Sequence, residues 1–259
     1  MSASNTSLLP PFSAVIPAFN EANRIRETLH QTLDYLFKVA PESELIVVND
    51  GSGDATGDIA SDVLATAKIE SRLVENWPNR GKGAAVRQGL LAATRSFGLF
   101  FDADLSTPLE ETPKVLGPVS RNEADIAFGS RAVDRSLIGT RQSWRREQGG
   151  RVFNLVVRLA TGLPFWDTQC GFKAFRLEVC RAVLESSHVD GFAFDVELLF
   201  RARRAGLRLR EIPVRWNHAE GSKIELVPDS LRMFREVIAL RKTMAAESEA
   251  AEAHRSAAM

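Results

Sequence analysis

Polar clusters placed directly after short apolar runs constrain this chain more than any other feature of its sequence. Phe12–Ile16 is apolar, short and stopped by Pro17. Leu45–Val48 runs into NDGSGD, and Phe97–Phe101 runs into DAD. Leu73–Val74 is a weaker run of the same kind. Runs of this length, bounded by turn residues, predict buried strands. Between them, Ile25, Leu29, Leu33, Leu36 and Phe37 recur at helical spacing, as do Ile59, Val63 and Leu64, and Gly83–Ala93 is helical as well. Such alternation implies right-handed crossovers and an α/β fold with a mainly parallel central sheet flanked by helices. Ligands of these sheets bind beyond the carboxyl ends of the strands. The clusters after the first, second and fourth strands are therefore expected on one edge.

Composition narrows the class. The 259 residues carry 33 Lys+Arg against 33 Asp+Glu, with 44% hydrophobic residues. That balance suits a globular α/β domain and excludes a fibrous chain or a general nucleic-acid binder. No apolar run approaches the roughly 18 residues needed to span a bilayer. The start, MSASNTSLLPPF, lacks a basic region and is broken by Pro10 and Pro11, so it does not read as a signal peptide. Cys170 and Cys180 have no metal-like spacing, which points to a reduced, cytoplasmic protein. The expected organisation is a flexible tail over 1–11, one domain over 12–245 and a disordered tail over 246–259. Within the domain, 12–130 forms a nucleotide half and 131–245 an acceptor half. The second half has arginines at 131, 135, 141, 145, 146, 151 and 158 against only Asp134 and Glu147 over that stretch. It also has a helix in GFAFDVELLFRAR, a strand around Leu209–Trp216 and a basic amphipathic helix near Ser230–Lys242. That last helix either docks in the core or lies on a bilayer surface.

Several residues carry candidate chemistry. Asp102-Ala103-Asp104 leaves the end of a buried strand. Two like charges there call for a cation, and a hard divalent ion suits them; the alternative is a capped Asp-rich turn. Asp50, in NDGS, either accepts hydrogen bonds from a base or ribose or shapes a turn. Pro17, Ala18, Asn20 and Glu21 close the first strand, where a ligand could approach the backbone and where Asn20 or Glu21 also serves as a helix cap or first-turn acid. Lys82 lies in the loop NRGKG at a helix start, a setting for an anion or an ordinary basic turn. Asp167, Asp195 and Glu197 are either paired with cations or functional. His188 and His218 are isolated and receive no role.

In order along the chain, IPAFNEANRI, VVNDGSGD, NRGKGAAVRQG, DADLSTP, GSRA, DTQCGFKAF, AFDVELLFRA and EGSK cover about residues 12–225. Together they resemble the family 2 glycosyltransferases of GT-A fold, in particular the dolichyl-phosphate β-glucosyltransferases and polyprenyl-phosphate relatives. The resemblance implies an inverting transfer of glucose from UDP-glucose to a polyprenyl (dolichyl-type) phosphate. It implies that Pro17, Ala18, Asn20, Glu21 and Asp50 line the nucleoside pocket and that Lys82 meets the base or diphosphate. Asp102, Ala103 and Asp104 would meet the donor, the two acids holding Mg²⁺ or Mn²⁺. Arg131 would meet a phosphate, and Asp167, Asp195 and Glu197 would lie near the acceptor. Because a lipid phosphate is already anionic, Asp167 and Asp195 are expected to position groups more than to act as bases. The protein is expected at the cytoplasmic membrane face, in peripheral contact with anionic lipid through its arginine-rich segment, which is expected to close over substrates. DADLSTP also reads toward GDP-mannose-dependent mannosyl relatives. A transferase with a soluble hydroxyl acceptor and a non-catalytic nucleotide-sugar-binding module are the remaining alternatives.

Overall fold

The computed structural model describes residues 9–140, 144–218 and 235–240. The apolar runs form strands that reach further than the runs themselves: β1 is Ser13–Ala18, β2 Glu44–Asp50, β3 Glu70–Asn76 and β4 Phe97–Phe101. Pro17 does not stop β1. It pairs in register with Val48 of β2, whereas the pairing of β1 with β4 covers only Ser13, Ala14 and Val15. Pro17 therefore sits where that flank of the strand needs no N–H donor, which is where a strand tolerates proline. The helices α1 (Ile25–Val39), α2 (Thr56–Ala65) and α3 (Lys82–Ala92) fall at the helical patterns.

The rest of the chain supplies α4 (Thr112–Ser120), β5 (Ile126–Ser130), α5 (Trp144–Thr161), β6 (Phe172–Arg176), α6 (Leu177–Ser186), α7 (Phe194–Arg204) and β7 (Leu209–Pro213). The sheet order is β3-β2-β1-β4-β6-β5-β7. Pairing is parallel except at β6, which runs antiparallel to both β4 and β5. The strand expected to reach Trp216 ends at Pro213, and Trp216 is held instead by a bridge to Ile138.

Alternate strand residues feed two cores, as a period of two requires. Val15, Ile46, Val48, Phe100, Phe128 and Phe175 face a core shared with α3, α5, α6 and α7. Ala14, Ile16, Leu45, Val47, Leu99 and Phe101 face the other, with α1, α2 and α4. Each fully buried side chain of this size contributes roughly 1.5–3 kcal/mol. The sheet is thus clamped on both faces, and its strand ends form a fixed edge for a site.

The expected tail over 1–11 is in part tethered: Leu9 donates its N–H to the Val39 carbonyl at 2.7 Å. Residues 235–240 are helical, with Val237 and Leu240 buried against the α7 side of the core, so this piece of the basic helix docks. The rest of that helix, the EGSK motif, Arg141 and the tail from 246 lie outside the described residues, as do the side chains of Arg145, Arg146 and Arg151. Among the described residues, no helix is long and apolar enough to cross a membrane.

Candidate active site

The parallel register of β1 and β2 sets Ala18 beside Asn49, so the loops after them interlock. Asn20, at φ +52°, donates its N–H to Ser52 Oγ at 2.9 Å and accepts from the Gly53 N–H at 2.8 Å. The Glu21 N–H donates to Thr56 Oγ1 at 2.7 Å, and the Glu21 carboxylate pairs with Arg24 at 2.9 Å. Pro17 and Ala18 end the strand beneath this turn.

Asp50 is closed by protein donors. Its Oδ1 accepts from Asn76 Nδ2 at 2.9 Å and the Arg80 N–H at 3.2 Å. Its Oδ2 accepts from Asn79 Nδ2 at 2.8 Å and the Gly81 N–H at 2.7 Å. A carboxylate has about four acceptor positions, and all are used. Instead of presenting free acceptors to a base or ribose, Asp50 anchors the loop that launches α3. Gly81 follows at φ +113°, where an added Cβ would lie 2.4 Å from the Asp190 carbonyl oxygen. Only glycine fits that backbone and that contact. The result delivers Lys82 at the first turn of α3.

Lys82 Nζ lies 2.5 Å from Asp102 Oδ1. Partial burial works against its charge, but Asp102, Asp195 and Asp104 outweigh it and hold the pKa above the ordinary value. Asp102 sits over Gly171, whose carbonyl accepts the Asp102 N–H at 3.2 Å. A Cβ at Gly171 would fall 2.1 Å from Asp102 Oδ2, so the carboxylate occupies the space of a side chain. Asp104 Oδ1 accepts from the Ser106 N–H at 2.9 Å. Among the described residues the Oδ2 atoms of both acids take no protein hydrogen bond. A small pocket lined by Phe101, Asp102, Asp104, Ser106, Gly171 and Trp216 opens at this point. Paired hard oxygen donors beside a pocket fit Mg²⁺ or Mn²⁺ that draws its other ligands from water and phosphate. Among the described residues no group of three or more His, Cys, Asp or Glu gathers around such a point.

Arg131 leaves the end of β5 and is fixed by Asp167. Its Nε meets Asp167 Oδ2 at 2.6 Å and its Nη2 meets Oδ1 at 2.8 Å, while its backbone N–H adds a third bond at 3.0 Å. Burial would raise the Asp167 pKa, but Arg131 more than offsets it and the value is lowered. The guanidinium lies 5.7 Å from the Trp216 ring centre, beside the pocket. Glu211 of β7 holds the loop in place by accepting from the Trp166 and Asp167 N–H groups and from Ser130 Oγ. Trp216 and Glu211 were not singled out in the sequence. A tryptophan and an acid in the last strand region carry no signal until the sheet order brings them here.

The two acids of α7 have different surroundings. Glu197 accepts from the His188 and Val189 N–H groups and from Arg201 Nε at 2.8 Å. It was expected near the acceptor, but those bonds make it the anchor of the 188–190 loop, whose Asp190 carbonyl accepts from the Gly83 N–H. Asp195 pairs with fully buried Lys173 at 2.7 Å. Burial raises the Asp195 pKa, opposed by Lys173 and Lys82, and the net direction is up. Lys173 also received no role in the sequence, although a lysine within the apolar run FKAF is itself a signal. Cys170 and Cys180 are both buried free thiols, and burial pushes Cys170 up to about 12.

Comparison with known proteins gives the family and the fold. Curated relatives include the dolichyl-phosphate beta-glucosyltransferases of Drosophila melanogaster and Homo sapiens. The first is 38% identical over 87% of this chain and 72% of its own length. The second is 33% identical over 88% of this chain and 74% of its own. Among solved structures, glucosyl-3-phosphoglycerate synthase from Mycobacterium tuberculosis, crystallised with Mn²⁺ and UDP, superposes with a TM-score of 0.63 at 24% identity. The superposition covers 89% of this chain and 78% of that one. The shared fold is GT-A. Residues 13–184, which include all of β1 to β4, Lys82, both acids of DAD, Arg131 and Asp167, match the family described as Glycosyl transferase family 2, and the chain belongs to that family.

Proposed function

We propose that this chain transfers glucose from UDP-glucose to a polyprenyl phosphate, with inversion to a β-linked lipid-phosphate sugar. The observation that carries the reading is the site at the end of β4. There Asp102 and Asp104 keep open oxygens, Lys82 contacts Asp102, and Arg131 stands beside the same pocket. Asp102 and Asp104 would hold Mg²⁺ or Mn²⁺ against the donor diphosphate. When bound, that ion supplies Lewis-acid neutralisation of charge on the leaving group. Lys82, held by Asp50 through the 79–81 loop, supplies a fixed cation to the same phosphates. Pro17, Ala18, Asn20 and Glu21 frame the nucleoside side.

The acceptor class follows from how the other acids are used. A hydroxyl acceptor needs a base. Asp167 is paired with Arg131 and Asp195 with Lys173, which suits both acids to the positioning role expected of them. A phosphate monoester, with a second pKa of about 6, is already a nucleophilic anion at neutral pH. Arg131, set by its bidentate partner, is suited to bind it. The names of the relatives support the dolichyl-type acceptor and the glucosyl donor.

Membrane contact is assigned to α5. Its buried face carries Phe153 and Val157, while Val152, Leu155 and Leu159 project on an exposed face. Trp166 is exposed beside it, with Arg158 at 4.0 Å from its ring centre. Apolar side chains with flanking arginine and tryptophan suit the headgroup region, and the Asp167 loop adjoins this helix. Contact there would be peripheral.

The test is a donor-by-acceptor radiotransfer assay. UDP-glucose and GDP-mannose are each offered with and without polyprenyl phosphate, in Mg²⁺ and in Mn²⁺. Label in the lipid phase from UDP-glucose is the expected result. Label from GDP-mannose would change the donor, and donor consumption with no lipid label would refute the acceptor class.

A further inference from the structure

Lys173 sits in mid-strand on β6, with Phe100 of β4 and Phe128 of β5 as its register partners. It is fully buried, its ammonium 5.4 Å from the centre of the Phe100 ring. It makes two polar contacts, donating to the Cys170 carbonyl at 2.7 Å and pairing with Asp195 Oδ1 at 2.7 Å. Burying such a pair is expensive. Desolvation amounts to several kcal/mol per ion, and apolar residues of similar volume often hold a core as well or better. Stability therefore does not account for it.

What an apolar pair would lack is reach to the site. Through the Cys170 carbonyl, Lys173 holds the turn that presents Gly171. That glycine accepts the Asp102 N–H and leaves the space its carboxylate fills. Through Asp195, Lys173 reaches the start of α3, because the neighbouring Phe194 packs on Gly83, next to Lys82, so closely that a Cβ added at Gly83 would lie 2.5 Å from Phe194 Cβ. Two ion pairs thus run from the core to the cleft, Lys173 with Asp195 and Lys82 with Asp102.

We infer that Lys173 is a positioning residue for the transfer reaction, fixing from inside the sheet both the turn beneath Asp102 and the start of α7 that packs beside Lys82. The inference rests on the reading of Asp102 and Lys82 as the diphosphate site. Without Lys173 the 170–171 turn loses its clamp, and Asp195 loses the partner that fixes the start of α7.

The test is the double variant Lys173→Met with Asp195→Asn, which removes both charges and keeps the core balanced. It is compared with wild type in Tm, in UDP affinity with Mn²⁺ by calorimetry, and in kcat and KM for transfer. A Tm at or above wild type is expected, with UDP bound about tenfold more weakly and kcat about 30–100-fold lower, the scale of an ångström misplacement. A double variant with wild-type UDP affinity and wild-type kcat would overturn the inference and leave the pair as a core staple. Should the double variant not fold, Asp195→Asn alone decides by the same calorimetry: about tenfold weaker UDP binding supports the inference and unchanged binding overturns it. If wild-type protein moved no sugar to polyprenyl phosphate, the functional reading would fall while the calorimetry still decided this one. Absence of Mn²⁺-dependent UDP binding in wild type would remove both.

Discussion

The acids that follow β4 and those of the 162–171 loop and α7 share one chemistry, yet the fold treats them oppositely. Asp102 and Asp104 keep oxygens open to a pocket. Asp167 and Glu197 are buried and saturated, by Arg131 and its backbone in one case and by the 188–189 backbone and Arg201 in the other. Asp50, after β2, belongs with the saturated group. The difference teaches that position in the topology selects where an acid lies, but its hydrogen bonds decide what it can do. A carboxylate with free lone pairs can hold a ligand. One with every lone pair taken can only hold the protein.

The comparison breaks most sharply at β4. Asp102→Asn or Asp104→Asn should lower kcat/KM by about 10²–10³-fold, the scale of removing a group that meets developing charge. Thermal stability should change little, because few protein bonds are lost. A large Tm loss with activity kept per folded molecule would place these acids in the saturated group. Asp167→Asn should do the reverse in stability, costing about 3 kcal/mol by leaving Arg131 without its buried partner. Denaturant melts measure that cost. Donor binding should survive, while the acceptor KM rises as the guanidinium loses its orientation. Glu197→Gln should cost about 2 kcal/mol, since the new amide group confronts N–H donors of His188 or Val189. Its kcat per folded enzyme should stay within about twofold, because no step is routed through it. A tenfold fall in kcat at full folding would return Glu197 to the acceptor site.

The smallest effect is in acid stability. Asp167 has a lowered pKa in the folded state, so below its ordinary value, about 3.9, the unfolded chain takes up the proton first. Its contribution is present above that value and is lost as the pH falls through the folded pKa. Asp195 has a raised pKa, so the folded state takes up the proton first and gains stability as it does. Acid melts of Asp167→Asn should therefore lose stability less steeply than wild type, and those of Asp195→Asn more steeply. Identical slopes in both variants would mean that the two environments are electrostatically alike.

Much of the region up to β4 was legible because β1, β2 and β4 contain short apolar runs and α1 and α2 repeat their apolar residues at helical spacing. β4 was read to the residue for that reason. β6 was missed because its central position is Lys173, which breaks the apolar pattern, and β5 because five residues carry little period. The DAD motif was legible because two acids after a buried strand are unusual. The partners of Asp50 and Asp167 were not, because Asn79, Gly81 and Arg131 come from elements remote in sequence, and those of Glu197 were not because the nearby 188–189 loop offers backbone N–H groups that no residue type announces.

The sequence by itself determined the alternating layers, the family and the carboxylate pair at the end of the fourth strand, because local patterning and motif order encode them. The tertiary structure alone decided which acids are open and which are closed, that Pro17 stays within a strand, and that a lysine lies in the core beneath the site. Those outcomes depend on which donors the sheet order 3-2-1-4-6-5-7 brings within hydrogen-bond distance, and no stretch of contiguous residues contains that information.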